Sequence, residues 1–151
     1  HKRIMGLETE RKYLVKDSSY RNLSFKSSVI TQGYLNRDPE RTVRIRIKDE
    51  TGFLTVKGKN IGDTRLEFEY EIPLQDARTL LGLCYGCVVE KIRHYVNYSG
   101  FIWEVDEFQG RNASLVVAEI ELPSSDVDFD VPDFIGVEVT GDPNYYNSNL
   151  S

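Results

Sequence analysis

The 151-residue chain contains only two cysteines, Cys84 and Cys87, which are too few for a disulfide framework. Their spacing is that of a redox motif or half a zinc site, but no second pair of ligands accompanies them, so we interpret them as structural or incidental. No stretch approaches the roughly 20 apolar residues of a membrane helix, and no apolar core of a secretory signal follows the first residues. We therefore expect a cytoplasmic protein that does not bind membranes.

The chain also lacks an excess of positive charge, because 24 acidic residues outnumber 19 Lys and Arg residues and give a net charge of -5. A nucleic-acid-binding domain usually shows the opposite balance, so we expect no nucleic acid partner. No linker, repeat or low-complexity run divides the sequence, and hydrophobic residues make up 40% of it. These features predict a single ordered domain over residues 1–151.

Alternation of apolar and polar residues with a period of two recurs along the chain. Six segments show it: Thr42 to Lys48, Gly52 to Lys59, Arg65 to Ile72, Val88 to Tyr98, Phe101 to Phe108 and Leu115 to Leu122. Leu7 to Val15 is predicted as an opening strand. Turn-like sequences such as Tyr98-Ser99-Gly100 separate them. A mostly antiparallel sheet of roughly eight strands is therefore predicted.

Helix signals are fewer. Pro73 at a first turn, followed by Leu74 to Leu81, predicts one helix. Asp17 to Ser28 is a weaker candidate for a second helix. The segment from Ser124 to Gly136 begins with cap-type residues but contains Pro132, so we expect at most a short helix there.

Side chains two residues apart in a strand share a face, and this sorting collects the charges on one set of faces. Those faces carry nine acids and eight bases: Glu8, Glu10, Glu67, Glu69, Glu71, Glu104, Asp106, Glu119, Glu121, Lys12, Arg44, Arg46, Lys48, Lys57, Lys59, Lys91 and Arg93. The opposite faces are apolar, except in the first strand. An open sheet with one solvated face would give the same alternation in any single strand.

Segregation of the charges by sign within strands favours a second arrangement, in which the sheet closes into a barrel. The charged faces would then surround a bore, and the apolar faces would lie outside it, under the helices. The predicted fold is thus α+β, a closed eight-stranded antiparallel β-barrel with a charged interior and a few helices packed on the outside. Desolvated charges need opposite charges or metals. Carboxylates bind Mg²⁺ together with substrate phosphates, and Arg and Lys bind phosphoryl oxygens, so the bore predicts a polyphosphate with a divalent metal.

The sequence Leu7-Glu8-Thr9-Glu10-Arg11-Lys12 resembles the Glu-x-Glu-x-Lys signature that opens the CYTH domain of the triphosphate tunnel metalloenzymes. Later motifs follow in the order of that family: Gln32-Gly33-Tyr34-Leu35, Arg44-x-Arg46, Lys57, Glu67-x-Glu69, Lys91-x-Arg93, Trp103-Glu104-Val105-Asp106, Glu119-x-Glu121 and Glu138-Val139-Thr140-Gly141-Asp142. The resemblance covers nearly the whole chain and implies an eight-stranded tunnel. Thr9 and the Cys84 to Cys87 segment depart from the family pattern.

The chain is most similar to the bacterial inorganic triphosphatases of this family. The resemblance implies metal-dependent hydrolysis of inorganic triphosphate to pyrophosphate and phosphate, with Mg²⁺ or Mn²⁺ as the cofactor. The implied metal ligands are Glu8, Glu10, Glu119 and Glu121, with Glu67, Glu69, Glu104 and Asp106 completing that side. The implied triphosphate ligands are Lys12, Arg44, Arg46, Lys57, Lys91 and Arg93. Glu8, Glu10 and Lys12 are the implied catalytic residues.

Several alternatives stay open on the sequence alone. One is a class IV adenylate cyclase, which would convert ATP to cyclic AMP and pyrophosphate, and another is a nucleoside or thiamine triphosphatase. A non-catalytic module that only binds polyphosphate is a third. A small outer-membrane barrel shares the alternation but is disfavoured by the helix predicted from Leu74 to Leu81. The oligomeric state, including a homodimer, is also open.

Overall fold

The structure is a computed structural model that describes residues 6–150. Its strands are β1 (Leu7–Val15), β2 (Lys26–Tyr34), β3 (Arg41–Lys48), β4 (Thr51–Gly58), β5 (Thr64–Ile72), β6 (Tyr85–Tyr98), β7 (Phe101–Phe108), β8 (Val116–Leu122) and β9 (Ile135–Glu138). Its helices are α1 (Tyr20–Leu23), α2 (Leu74–Leu81) and α3 (Asn147–Leu150), with 3₁₀ turns at Gly110–Asn112 and Pro143–Tyr145. Each helix in this part of the chain is too short and too polar to cross a lipid bilayer.

The strands form one sheet that closes on itself. Eight of them follow the order β5-β4-β3-β2-β6-β7-β8-β1, and β1 pairs with β5 through Leu7 to Thr9 to complete the ring. All of the pairings are antiparallel. This confirms the predicted closed eight-stranded barrel. A ninth strand, β9, was not predicted, and it pairs with the end of β1 at Tyr13 and Val15, beyond the closure.

Local sequence explains the tight connections between strands. The turn between β6 and β7 places Ser99 at φ 50° and Gly100 at φ 83°. Two consecutive residues with positive φ define a type I′ turn, whose twist matches that of the flanking antiparallel strands. The predicted hairpin at Tyr98-Ser99-Gly100 is therefore confirmed.

The charged faces of the strands point into the barrel. Residues directly opposite each other on antiparallel strands lie on the same face. Lys57 is opposite Glu67, and Lys12 is opposite Glu119. Lys12, Glu67 and Glu119 are all buried although they are ionisable, because the barrel wall encloses them.

The main hydrophobic core lies outside the barrel wall, against β1, β6, β7 and β8. Trp103 is fully buried there, and its ring centroid is 5.5 Å from that of Tyr13. Tyr20 of α1 and Phe134, from the segment between β8 and β9, cover this core. Much of its cover is therefore an irregular segment rather than a helix.

Helix α1 is held on the barrel by a cluster of polar side chains around Glu107. The Glu107 carboxylate accepts hydrogen bonds from Tyr20 and Arg21, and His94 Nε2 lies 2.7 Å from its Oε1. Although burial alone would raise the pKa of Glu107, hydrogen bonds from Tyr20, His94 and Arg21 lower this pKa to about 2. His94 is thus a packed residue on the outer side of the barrel.

Helix α2 covers part of the opposite side, where it contacts β3 and β4. This close approach depends on Gly52, because a Cβ atom there would lie 2.8 Å from the Cβ of Ala77. The outer face of β5 lies beyond this helix. Leu66, Phe68 and Tyr70 are 48%, 41% and 58% exposed, so the prediction that the apolar faces lie under helices is wrong for this strand.

The described structure has a helix in two of the three segments for which one was considered. In the segment from Asp17 to Ser28, only Tyr20–Leu23 is helical, and Lys26 already begins β2. The segment from Ser124 to Gly136 contains no helix in the described structure. It packs Phe134 against the core and then enters β9. The prediction of α2 over Leu74 to Leu81 is confirmed.

Candidate active site

A cavity of about 610 Å³ occupies the bore of the barrel. Twelve of the fourteen predicted site residues line it: Glu8, Glu10, Lys12, Arg44, Arg46, Lys57, Glu67, Glu69, Arg93, Glu104, Glu119 and Glu121. The other two, Lys91 and Asp106, are buried in the wall, with side chains 0% and 1% exposed. Strand alternation therefore gathers residues from seven strands around one space.

Three carboxylates form a tight cluster in this cavity. One oxygen from each of Glu8, Glu10 and Glu121 lies within 4.8 Å of the others, and this is the one such group with metal-ligand spacing among residues 6–150. Glu8 Oε1 is buried and accepts no hydrogen bond from a described residue, since Lys57 Nζ is 3.9 Å away. Carboxylate oxygens so arranged fit a hard divalent cation such as Mg²⁺ or Mn²⁺.

The protonation of this cluster reflects its crowding. Burial, together with the charge of neighbouring carboxylates, raises the pKa of Glu8 to about 11 and that of Glu10 to about 8. Burial likewise raises the pKa of Glu121 to about 7, with Glu67 and Glu119 adding to the effect. These shifts favour the protonated form of the cluster near neutral pH, and a cation bound there would have to displace those protons.

Basic side chains occupy the opposite part of the wall. Arg46 donates from Nε to Gln32 Oε1 at 2.7 Å and makes no salt bridge to an acidic residue in the described chain. Burial, and then the charges of Arg44 and Arg93, lower the pKa of Arg46 to about 10. Arg44 donates to Glu69 at 3.2 Å, while its Nε is buried without a partner in residues 6–150. This side of the bore therefore suits an anionic ligand.

Asp106 lies outside the carboxylate cluster and is held by basic residues. Lys91 Nζ donates to Asp106 at 2.7 Å, and Arg93 donates to both carboxylate oxygens at 2.8 and 3.0 Å. Although burial would raise the pKa of Asp106, Arg93 and Lys91 hold this pKa far below its usual range. Burial lowers the pKa of Lys91 to about 7 despite the nearby Asp106. In this geometry Asp106 orients two cations.

Lys12 contacts both β8 and the chain that follows β9. Its Nζ lies 3.6 Å from Glu119 and donates to the backbone carbonyl of Tyr145 at 3.1 Å. Burial would raise the pKa of Glu119, but Lys12 and Arg93 lower it to about 2. Glu119 therefore stays ionised beside Lys12, in contrast to the protonated cluster.

Three polar residues of the site received no role from the sequence. Gln32 is fully buried beside Arg46, and Thr55 is fully buried between Arg44 and Glu69. The inward face of the predicted strand β4 was the available signal for Thr55, whereas β2, which carries Gln32, was not predicted as a strand. Asn147 comes from the C-terminal segment, which carries no periodicity or charge that would have placed it in the barrel.

The two cysteines lie away from these residues. Both thiols are free, and neither belongs to a metal-ligand group among the residues described. Burial raises the pKa of Cys84. These findings agree with a structural or incidental interpretation of Cys84 and Cys87.

The barrel is closed and antiparallel, and its bore holds a carboxylate cluster together with arginine and lysine side chains. This arrangement is that of a tunnel protein suited to binding a polyanion together with a cation. The model of the CYTH domain family matches residues 6–143. The chain belongs to the CYTH domain family, as the sequence motifs predict.

Similar proteins agree with this assignment. The chain is 50% identical to an inorganic triphosphatase of Acetivibrio thermocellus over 147 residues, which cover 97% of this chain and 94% of the relative. It is 31% identical to an inorganic triphosphatase of Nitrosomonas europaea, with coverages of 95% and 96%. A crystal structure of an inorganic triphosphatase superimposes with a TM-score of 0.69 at 30% identity and covers 95% of this chain and 93% of that one. A putative adenylyl cyclase from Hippeastrum shares the fold, with a TM-score of 0.61, 17% identity and coverages of 78% and 80%.

Proposed function

We propose that this chain is a divalent-metal-dependent triphosphatase that hydrolyses inorganic triphosphate to pyrophosphate and phosphate. The observation that carries the proposal is a cluster of acidic ligands and a set of basic side chains facing one enclosed cavity. Two relatives named as inorganic triphosphatases, at 50% and 31% identity, support the choice of substrate.

The metal, Mg²⁺ or Mn²⁺, would be held by Glu8, Glu10 and Glu121. A bound divalent ion would neutralise substrate charge and lower the pKa of an attacking water molecule. Glu119 is ionised and adjacent to this cluster in the wall, so it would complete the negative charge around the ion. Glu67 and Glu69 would do so less directly, because salt bridges link them to Lys57 and Arg44.

The triphosphate would be held by the basic residues that line the cavity. Arg44 and Arg46 offer planar guanidinium groups that match phosphoryl oxygens, while Lys12 and Lys57 act as point charges. Arg93 faces the same cavity and is oriented by Asp106, with Lys91 behind it. These contacts would orient the chain of phosphates, and orientation with charge stabilisation supplies most of the catalysis in phosphoryl transfer. No covalent nucleophile is required.

A substrate panel tests this function. Inorganic triphosphate, ATP, GTP and thiamine triphosphate are offered separately with MgCl₂ or MnCl₂, while phosphate and cyclic nucleotide release are both monitored. We expect phosphate release to be fastest from inorganic triphosphate. Cyclic AMP and pyrophosphate from ATP would assign a cyclase instead, and tight binding without release of phosphate would assign a binding module.

Substitutions then connect the activity to the cavity. Glu8→Gln and Lys12→Ala should each reduce turnover by about 100-fold or more, because the first removes a carboxylate ligand of the metal and the second removes a positive charge that faces the substrate. Exposed Glu71→Gln is the matched control. Full activity in the Glu8 and Lys12 variants would contradict the proposed site.

The remaining properties belong to the same proposal. We infer that residues 1–151 act as one domain in the cytoplasm. We also infer that they bind no nucleic acid, because the basic side of β3 faces the bore. A homodimer is compatible with this arrangement, and size-exclusion chromatography with light scattering measures it directly.

A further inference from the structure

The C-terminal segment Pro143–Leu150 folds over one end of the bore. Leu150 packs against an apolar group that includes Phe108, and its backbone carbonyl accepts a hydrogen bond from Asn112 at 2.8 Å. The carbonyl of Tyr145 accepts the hydrogen bond from Lys12 described above. These contacts fix the segment so that Asn147, its fifth residue, lines the cavity.

The orientation of the Asn147 amide follows from its neighbours. Arg46 can only donate, so the Gln32 atom that it contacts at 2.7 Å must be the carbonyl oxygen Oε1. Gln32 Nε2 is therefore the donor, and it meets Asn147 Oδ1 at 3.3 Å. Lys91 Nζ donates to the same Oδ1 at 3.1 Å. Two independent donors thus assign the oxygen of the Asn147 side chain to the wall of the barrel.

Because Oδ1 faces Gln32 and Lys91, the Nδ2 group of Asn147 points away from these two residues. Asn147 Nδ2 carries two N–H donors and donates to no residue in the described part of the chain. We propose that Asn147 is a substrate-binding residue, whose Nδ2 donates a hydrogen bond to a phosphoryl oxygen of the triphosphate. The inference rests on the proposed function and adds a neutral ligand from the C-terminal segment.

The same residue also links basic side chains from different strands. Through Oδ1 it contacts Lys91 of β6 directly and Arg46 of β3 by way of Gln32. A role limited to positioning these cations would need only the oxygen. A role in binding substrate needs the nitrogen, and the two roles are separable by one substitution.

Asn147→Asp makes this separation. Aspartate keeps the size and the acceptor for Gln32 and Lys91, but it replaces the donating nitrogen with a negatively charged oxygen. The matched control is Asn144→Asp, which adds the same charge to an exposed position of the same segment outside the cavity. Asn147→Ala, which removes both roles, is the second variant.

Binding is measured by isothermal titration calorimetry with sodium triphosphate in buffer that contains EDTA, so that no metal-dependent turnover occurs. We expect Asn147→Asp to weaken binding by about 100-fold and Asn147→Ala by about tenfold, as is typical for a lost hydrogen bond to a charged group. Asn144→Asp should stay within about twofold of the wild type. Thermal unfolding of each variant checks that the fold is retained.

Several results would overturn the inference. Wild-type affinity in Asn147→Asp would show that only the oxygen matters, and an equal loss in Asn144→Asp would show a general charge effect. If Asn147→Asp unfolds, wild-type affinity in Asn147→Ala overturns the inference equally. A wild type that binds triphosphate in EDTA but hydrolyses none with either MgCl₂ or MnCl₂ would refute the proposed function, and the binding data would still test the role of Asn147.

Discussion

Replacing Glu10 by Gln should stabilise the metal-free protein while abolishing its stabilisation by divalent metal. The reason lies in the cluster of Glu8, Glu10 and Glu121, whose oxygens lie within 4.8 Å of one another. The pKa of Glu10 rises from its ordinary value of 4.5 to about 8, mainly through burial. Between these two values the folded carboxyl holds a proton that the unfolded chain releases, so folding becomes less favourable as pH increases.

The magnitude follows from this window. Each pKa unit corresponds to about 1.4 kcal/mol, so the interval from 4.5 to pH 7 amounts to about 3.5 kcal/mol. Glutamine does not ionise and has almost the same size. The amide only partly replaces the hydrogen bond that the protonated carboxyl makes with Glu119, so we expect a net gain of about 2 kcal/mol in the free energy of unfolding at pH 7.

Urea unfolding in EDTA at pH 4.5, 6, 7 and 8 measures this effect. The gain should be absent at the lowest pH, increase through the window and level off near pH 8. Excess MgCl₂ or MnCl₂ should then stabilise the wild type, and more so at higher pH because the ion displaces protons from the carboxylate cluster. The same salts should stabilise Glu10→Gln little. Exposed Glu71→Gln is again the control. A destabilised Glu10→Gln in EDTA at pH 8, or equal stabilisation of both proteins by the metal, would refute the reasoning.

Three further predictions concern the scaffold. Because the pKa of Glu107 is lowered to about 2, the contribution of this carboxylate to stability is present above about pH 4.5 and is lost as pH falls toward 2. Urea unfolding should show that Glu107→Gln removes about 1–2 kcal/mol of this pH dependence. Trp103→Ala should cost about 3–5 kcal/mol because the indole is fully buried, and a loss below 1 kcal/mol by the same assay would contradict the core as described. Gly52→Val should cost at least about 1–3 kcal/mol, since its side chain would meet Ala77 under α2, and an unchanged thermal midpoint would contradict that contact.

The barrel itself could be predicted because most of its strands place ionisable and apolar residues strictly on alternate positions. β2 escaped detection because its two faces do not differ in polarity: Ile30 faces inward and is fully buried, while Val29 faces outward and is 61% exposed. In β2, burial inside the barrel is determined by neighbouring strands rather than by polarity. A single strand with polar residues on both faces gives no periodic signal.

The composition of the cavity was accessible from the sequence, whereas the partners within it were not. Alternation places Asp106 on the same side as the glutamates, but the register of β6 against β7 sets it opposite Arg93. Register depends on the closure of the whole ring, which local sequence does not determine. The insertion of Asn147 depends in the same way on contacts of Leu150 with residues more than 30 positions away in the chain.

The placement of the packed core outside the wall separates the residues that hold this protein together from those that meet its ligand. Trp103, Ile120 and Phe134 pack on the outer side of the wall, and none of them lines the cavity. Such a scaffold keeps its apolar packing apart from the charges that line its bore. New ligand preferences can therefore arise within an unaltered frame.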